Sequence, residues 1–200
     1  MTNAKLVWVV TMVTLSGAAQ AALQGRDLNG DTVVDAFYDT DLNITWRRNA
    51  NVNGAMTWAN AVSWADNLTF GGYTDWRLPT SDVTCPMADP QYNCTGSEMG
   101  HLWYVELGNI AGDVTPNVGN FGNMQNYAYW SGTTYAPDAS KAWGFNIDQG
   151  DQFFGGKQNA LFAMAVRPGD VTAAVPEPAT YALMLAGLGA LGFIARRRRH

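Results

Sequence analysis

The pattern of apolar positions changes from helical to strand-like at the glycine pair Gly71-Gly72. Residues 57–68 repeat apolar side chains at helical spacing, and Thr57 stands at the N-cap position. Residues 76–78 alternate apolar and polar side chains instead, which predicts a strand. Glycine adopts positive φ at no steric cost, so this pair can end a helix and reverse the chain within a few residues.

Further elements follow from the same patterns. Alternation of large apolar and small or polar residues predicts strands at 42–46, 127–133, 143–147 and 161–167. The Ser/Thr-x-x-Glu form of residues 95–98 is that of a capping box, and it predicts a second helix that Gly108 ends. The Gly- and Asn-rich stretch between these elements, residues 109–125, predicts a long loop.

The largest apolar side chains of these elements are expected to form the core. They are Trp58, Leu68, Trp76, Leu78, Trp130, Trp143 and Val166. Arg77 lies between two of them and therefore needs a carboxylate or carbonyl partner, because an unpaired buried charge is costly. His101, on the second helix, is expected to be a surface or hydrogen-bonded core histidine.

Composition supports one acidic domain. The 200 residues are 47% hydrophobic and 12% aromatic, which is enough for a single core after the terminal segments are set aside. The central part, residues 22–170, has sixteen acidic against seven basic side chains, a net charge near −9. Such a domain repels phosphate backbones, so nucleic acid is not expected as a partner.

The N-terminal segment, residues 1–21, has the features of a signal peptide. Lys5 precedes an apolar run, and the small residues before Ala22 form a cleavage site, so signal peptidase is expected to cut between Ala21 and Ala22. The alternative, an N-terminal membrane anchor, is less favoured because the apolar run is shorter than the ~20 residues that a bilayer span needs.

The two cysteines, Cys85 and Cys94, lie in a Pro-, Asp- and Asn-rich loop. An even cysteine count in an exported chain predicts one disulfide. A metal site is the lesser alternative, because it needs two more ligands and His101 is the only imidazole close in sequence.

An alternation of oxygen-bearing side chains near residue 30 is similar to a calcium loop. Its members are Asp27, Asn29, Asp31 and Asp35. Position six of an EF-hand loop counted from the first aspartate is Thr32 rather than glycine, and position twelve is Tyr38 rather than glutamate. A polar turn joining two extended segments is therefore favoured, and calcium is kept as a candidate only. No other cofactor is expected.

The C-terminal segment combines a linker at 171–180, an apolar run at 181–195 and four arginines at 196–199. With Pro176-Glu177-Pro178 in the linker, this order resembles the PEP-CTERM sorting signal. The resemblance implies a Gram-negative bacterium in which an exosortase recognises the motif and removes the tail.

Physical arguments favour a transient membrane anchor at this tail. The four arginines resist translocation and hold it in the inner membrane. The rival interpretation is a permanent anchor, but the fifteen residues of the apolar run reach only ~22 Å, less than the ~30 Å hydrocarbon core.

Four short stretches in fixed order resemble the Lcl C-terminal-type domain of bacterial surface proteins, over roughly residues 40–170. They are Thr57-Trp58-Ala59-Asn60-Ala61, Gly72 to Thr80, Tyr129-Trp130-Ser131-Gly132-Thr133 and Ala165-Val166-Arg167-Pro168. The resemblance implies a single α+β, C-type lectin-like domain at 22–170. In such a fold two helices pack on a small, mostly antiparallel, twisted sheet with long loops, and the first strand near Trp46 pairs with the last near Val166.

The resemblance also implies function. It indicates an exported surface or extracellular-matrix protein that binds a ligand such as an extracellular polysaccharide, after transient anchoring in the inner membrane. A structural component of an extracellular layer is the alternative. An enzyme of the sulfatase-modifying-factor type is least favoured, because that chemistry uses a cysteine pair late in the domain and both cysteines are early here. No catalytic Ser/His/Asp or Cys/His set is legible, so the expected class is not an enzyme.

Overall fold

A computed structural model describes residues 23–171 of the chain. The signal peptide with its Ala21-Ala22 cleavage position lies outside the described residues, as do the Pro176-Glu177-Pro178 motif and the apolar run after it. Between residues 23 and 171, no helix has both the length and the apolar character to cross a bilayer.

The described residues form two helices, a π-helix and seven strands. In chain order these are β1 (Gln24–Arg26), β2 (Ala36–Asp39), β3 (Ile44–Arg47), α1 (Trp58–Asp66), α2 (Glu98–His101), the π-helix (Leu102–Glu106), β4 (Ala128–Thr134), β5 (Lys141–Asn146), β6 (Gln152–Gly156) and β7 (Val166–Pro168). The predicted α+β class is confirmed, and the long loop at 109–125 contains no helix or strand.

The first sheet joins the two ends of the domain. Its strand order is β1-β2-β3-β7, every pair is antiparallel, and Trp46 lies opposite Val166. The predicted pairing of the strand near Trp46 with the strand near Val166 is therefore confirmed, although the strand near Trp46 is the third of the domain and not the first. The alternation at 42–46 predicts one buried and one exposed face for this strand, but Thr45 is buried like its neighbours, and its hydroxyl donates to the carbonyl of Gly169 at 2.7 Å.

The second sheet is a separate antiparallel meander with the order β4-β5-β6, so the expected single sheet is in fact two. Residues 161 and 162, which belong to the predicted last strand, pair with no strand along a ladder. They make only single bridges, from Leu161 to Met56 and from Phe162 to Tyr129. The strand predicted at 161–167 is therefore too long, and only its end forms a strand, β7.

The strand predicted at residues 76–78 is also wrong. The segment is extended but makes one bridge, in which Arg77 and Val166 exchange backbone hydrogen bonds of 2.8 and 2.9 Å. Pro79 follows two residues later and has no N–H to continue a ladder.

Helix α1 confirms the helix predicted from Thr57, which is its N-cap residue. Two of its expected core residues are only half-buried. Trp58 begins the helix and carries the ammonium of Lys157 4.0 Å above its ring, whereas Leu68 lies beyond the last helical turn. The other five expected core residues are buried: Trp76, Leu78, Trp130, Trp143 and Val166.

The second helix begins two residues later than the capping-box pattern suggests. Ser97 is the N-cap, and its hydroxyl accepts from the amide of Gly100 at 2.9 Å. Glu98 turns away to Arg77, which gives that guanidinium the carboxylate partner predicted for it. The helix then widens into the π-helix and ends before Gly108, whose φ of 67° confirms it as the stop.

The main core lies between the first sheet and this second helical segment. Trp46 of β3, Met99 of α2, Trp103 of the π-helix and Phe145 of β5 are fully buried in one cluster. The indole N–H of Trp103 donates to the carbonyl of Ile147 at 2.9 Å, so this large ring leaves no polar group unpaired.

Candidate functional site

The tryptophan motifs of the sequence hold the domain together by bonding to one another. The indole of Trp58 donates to the carbonyl of Ser131 at 2.8 Å, and the indole of Trp130 donates to the carbonyl of Met56 at 2.9 Å. The amide of Gly132 donates to the carbonyl of Pro79 at 2.8 Å. These motifs therefore stabilise the fold, because their polar groups form hydrogen bonds within the domain.

The two arginines of these motifs, Arg77 and Arg167, also bind other groups of the domain. Arg77 binds Glu98, and Arg167 binds Asp75 through two hydrogen bonds of 2.8 and 2.9 Å. The hydrogen bonds from Arg167 lower the pKa of Asp75 below its usual range. A ligand site must therefore be sought outside the motifs.

The cysteine loop provides such a place, and its predicted disulfide is confirmed. Cys85 and Cys94 are bonded, with their Cα atoms 5.6 Å apart. Between them Gln91 donates to the carbonyl of Cys85 at 3.0 Å, and its own carbonyl accepts from the amide of Gln152 in β6 at 2.9 Å. The side chain of Gln152 in turn exchanges hydrogen bonds of 2.8 and 3.0 Å with the backbone of Asp82. The loop is thus fixed to the second sheet at both ends.

A pocket of about 350 Å³ lies between this loop and β6. Its lining residues are Met87, Ala88, Asp89, Pro90, Gln91, Asp151, Gln152, Phe153 and Phe154. Carboxylate oxygens can accept hydrogen bonds from hydroxyl or amine groups, and the phenyl and thioether groups can contact the apolar face of a ring. Met87 is 62% exposed, so the rim of the pocket is open to solvent.

The electrostatics of the pocket are set by Asp151. Burial raises the pKa of this carboxyl, while hydrogen bonds from Asn146, at 3.0 and 3.2 Å, act in the opposite direction. The nearby charges of Asp148 and Asp89 raise the pKa further. The pocket therefore favours partners that donate hydrogen bonds or carry positive charge.

One wall of the pocket is rigid. The ring of Phe154 stacks on Tyr135 with centroids 4.0 Å apart and planes 9° apart, and it meets Trp143 edge-on at 5.6 Å. The ammonium of Lys141 lies 5.5 Å from the same ring. An aromatic wall held in this way can receive a ligand without a further loss of side-chain entropy.

The candidate calcium residues lie in the turn between β1 and β2. The carboxylate of Asp27 accepts from the amides of Asn29, Gly30 and Thr32 at 3.2, 2.7 and 2.8 Å. Asp31 accepts from the amide of Val33 at 2.8 Å. The segment thus has the form of a polar turn between two strands, and whether it binds calcium stays a prediction.

The remaining two candidates also bond within this turn. The side-chain oxygen of Asn29 accepts from the amide of Asp31 at 2.9 Å, and Asp35 accepts from the amide of Leu28 at 3.0 Å. Thr32, at the position where a calcium loop has glycine, has a φ of 71°. The four candidates are therefore brought into one turn, where each accepts at least one hydrogen bond from a backbone amide.

One side-chain cluster has no counterpart in the sequence patterns. His101 is neither on the surface nor hydrogen-bonded through Nε2, which corrects the expectation for it: its side chain is 14% exposed, and Nε2 lies 3.5 Å from Oε1 of Glu106. Asp39 completes the cluster from the end of β2. Spacing could not have found it, because residues five apart lie about 140° apart on an α-helix.

Two family models match the chain. The model of the Lcl C-terminal domain matches residues 35–167, and the model of the PEP-CTERM protein-sorting motif matches residues 174–199. A search of curated proteins finds no match. The first match includes every strand except β1 and the last residue of β7, and it includes the pocket and the buried cluster.

Proposed function

The chain belongs to the Lcl C-terminal domain family and carries a PEP-CTERM motif, and we propose that it is a non-catalytic glycan-binding protein of the cell surface or extracellular matrix. The sorting motif makes it an exported protein handled by an exosortase in a Gram-negative bacterium, with a membrane-anchored stage in transit. Its final location at the surface or in the matrix is part of the proposal.

The observation that carries the proposal is the pocket between the disulfide loop and β6. It combines an apolar wall with the carboxylates of Asp89 and Asp151, which is a chemistry that suits the alternating apolar and hydroxyl faces of a sugar. The disulfide and the bonds of Gln91 and Gln152 hold its two sides together, so binding needs little ordering of the loop.

Charge narrows the class of glycan. The domain has a net charge near −9, and its pocket contains two aspartates. Sulfated or other anionic polysaccharides are therefore disfavoured by repulsion, whereas neutral or amine-bearing sugars are favoured. We accordingly propose a neutral or amine-bearing extracellular polysaccharide as the ligand.

The fold is consistent with a lectin-like scaffold. Pairing of β3 with β7 places the beginning and end of the domain side by side, as the lectin-like arrangement requires. The long loops on this α+β scaffold include the disulfide loop that forms the pocket. We therefore include the C-type lectin-like fold in the proposal.

A structural component of an extracellular layer is the second candidate, because the family motifs serve the framework rather than a ligand. A sulfatase-modifying-factor-like activity receives no support, since Cys85 and Cys94 are joined to each other and the pocket is lined by neither serine nor histidine.

A glycan array tests the proposal. The exported protein is applied to neutral, amine-bearing and sulfated glycans, beside a double variant Met87→Ala, Asp89→Asn that alters two exposed pocket residues. Val83→Ala is the matched control, because Val83 lies on the same loop, is 62% exposed and does not line the pocket. We expect binding to neutral or amine-bearing glycans that the double variant loses at least ~10-fold and that the control retains.

The calcium question is settled in the same assay. Binding is repeated with added calcium and with a chelator, using wild type and the double variant Asp27→Asn, Asp31→Asn. We expect no dependence on calcium. Binding that needs calcium and is lost in this variant would make the β1–β2 turn the ligand site, and absence of binding to any glycan would favour the structural component.

A further inference from the structure

Three side chains from separate elements meet at one buried point. Asp39 ends β2, His101 ends α2 and Glu106 ends the π-helix. One ligand atom from each residue lies within 4.8 Å of the others. This cluster is separate from the pocket and from the turn at Asp27.

Four polar atoms of the cluster are buried and have no hydrogen-bond partner among the described residues. Asp39 is 0% exposed, and the side chain of Glu106 is 1% exposed. Within residues 23–171, no hydrogen-bond partner reaches either carboxylate oxygen of Glu106, Oδ2 of Asp39 or Nε2 of His101. Leaving so many buried acceptors unpaired is costly, so the arrangement calls for a partner that satisfies all of them at once.

The other oxygen of Asp39 shows how this carboxylate is aimed. Its Oδ1 accepts from the amides of Asp41 and Leu42, at 3.1 and 2.9 Å, in the turn that follows β2. These two bonds fix the carboxylate and leave Oδ2 directed at the cluster. Asp39 is therefore held in place before any ligand arrives.

The π-helix brings the other two residues together. Its widened turn is closed by the amide of Leu107, which donates to the carbonyl of Leu102 at 2.9 Å, five residues back. In a regular α-helix, His101 and Glu106 would lie about 140° apart, but here their side chains approach to 3.5 Å. The extra residue in the turn thus assembles the cluster.

Within residues 23–171, no lysine or arginine balances the charge of the two carboxylates in the cluster. In the described part of the chain, neither Asp39 nor Glu106 forms an ion pair with lysine or arginine. The backbone amide of Leu23 approaches the Glu106 carboxylate without hydrogen-bond geometry. A divalent cation would neutralise this site.

We propose that Asp39, His101 and Glu106 bind one divalent transition-metal ion of the Zn²⁺ type. One imidazole nitrogen with two carboxylates is a donor set that suits Zn²⁺ and its first-row neighbours, whereas Ca²⁺ and Mg²⁺ prefer oxygen alone. The 3.5 Å between His101 Nε2 and Glu106 Oε1 is close to the ~3.4 Å that separates two ligands of a tetrahedral ion with bonds of ~2.1 Å.

The role of the ion follows from its burial. Asp39 is fully buried, and the side chains of Glu106 and His101 are 1% and 14% exposed, so the protein encloses the site and we assign the ion a structural role. It links the β2–β3 turn of the first sheet to the helical segment packed against that sheet. The inference is independent of the glycan proposal, because none of the three residues lines the pocket.

Metal analysis of the full chain tests the proposal. The protein is purified without added metal, stripped with a chelator and reloaded with Zn²⁺, Co²⁺, Mn²⁺ or Ca²⁺. We expect about one equivalent of Zn²⁺ to bind, and the melting temperature to rise by ~5–10 °C at a free Zn²⁺ concentration of 100 times Kd. The Co²⁺ form should show no thiolate absorption, because both cysteines are in the disulfide.

Variants assign the site. His101→Asn and Glu106→Gln should weaken Zn²⁺ binding at least ~10-fold. Asp66→Asn, a change at an exposed aspartate of α1, is the matched control and should bind as wild type does. Asp27→Asn should likewise leave Zn²⁺ binding unchanged.

The proposal is overturned by any of three results. The first is that stripped wild type binds less than a tenth of an equivalent of Zn²⁺. The second is that none of the four metals raises its melting temperature. The third is that both ligand variants bind Zn²⁺ with the wild-type affinity. The first two measurements use the wild-type chain, so they decide the matter even if a variant does not fold.

Discussion

Arg77 and Glu98 are 21 residues apart in sequence and form a two-pronged ion pair, with Nη1–Oε2 and Nη2–Oε1 both at 2.7 Å. The same Oε2 also accepts from the amide of Thr80 at 2.7 Å. One carboxylate therefore ties the segment after the Gly71-Gly72 corner to the first residue of α2.

We expect Glu98→Gln to lower the free energy of unfolding by about 1–2 kcal/mol, because it removes a charge-assisted pair from a partly buried site. Arg77→Lys should cost a similar amount, since lysine cannot form the two parallel bonds. Lys141→Gln, in an exposed pair with Asp138, is the control and should change stability by only about 0–0.5 kcal/mol. Equal effects of all three changes in chemical denaturation would contradict the special role of the Arg77–Glu98 pair.

The Asp75–Arg167 pair predicts acid sensitivity. Its hydrogen bonds lower the pKa of Asp75 in the folded state, so the stabilisation is present above the ordinary aspartate pKa of 3.8 and is lost as pH falls below it. Because the side chain of Asp75 is 47% exposed, we expect the pair to contribute only about 0.5–1 kcal/mol to the free energy of unfolding. Chemical denaturation of wild type and Asp75→Asn at pH 6 and pH 2.5 measures this contribution. The difference between the two free energies of unfolding should be smaller at pH 2.5, and an equal difference at both pH values would contradict the role of the Asp75–Arg167 pair.

The disulfide of the pocket loop should stabilise the domain. Its removal in the double variant Cys85→Ala, Cys94→Ala is expected to cost about 2–3 kcal/mol, because a loop of about ten residues is then free in the unfolded chain. Glycan binding should weaken as well, since the Met87 side of the pocket belongs to this loop. Alkylation and mass spectrometry of non-reduced wild type should find no free thiol, and two free thiols would disprove the bond.

The turn at Thr32 contains a strained residue. Because its φ of 71° favours glycine, Thr32→Gly should raise the melting temperature, corresponding to about 0.5–1 kcal/mol after the added freedom of glycine in the unfolded chain is allowed for. Thr95→Gly changes an exposed threonine with negative φ and should be destabilising. If both changes lower the melting temperature equally, the turn does not store this strain.

The sorting motif should govern release from the membrane. Replacing Pro176, Glu177 and Pro178 by alanine is expected to leave export intact and to hold the protein at full length in the inner membrane, because the apolar run and the arginines remain. Cell fractionation with immunoblotting distinguishes the two proteins. If wild type also stays in the inner membrane at full length, the tail is a permanent anchor.

Local patterns predicted the elements whose geometry depends on near neighbours. The helix from Thr57 and the stop at Gly108 follow from periodicity and turn chemistry. The ion pair of Arg77 was also expected in kind, since a charge between two buried residues requires a partner, although only the fold identified Glu98 as that partner. The pairing of β3 with β7 came from the family resemblance and not from any pattern.

The sequence by itself determined the helix from Thr57, the strands that match β3, β4 and β5, that the cysteines pair and that the tail carries a sorting signal, because each depends on residues close together in the chain or on a short motif. Only the tertiary structure decided that there are two sheets and that the segment at Arg77 makes a single bridge. It also decided that Asp39, His101 and Glu106 converge. Periodicity indicates which way a side chain points from its own backbone, whereas contacts between distant residues form only when elements pack against one another. Here a widened helical turn brings His101 and Glu106 together, although regular helical spacing would separate them.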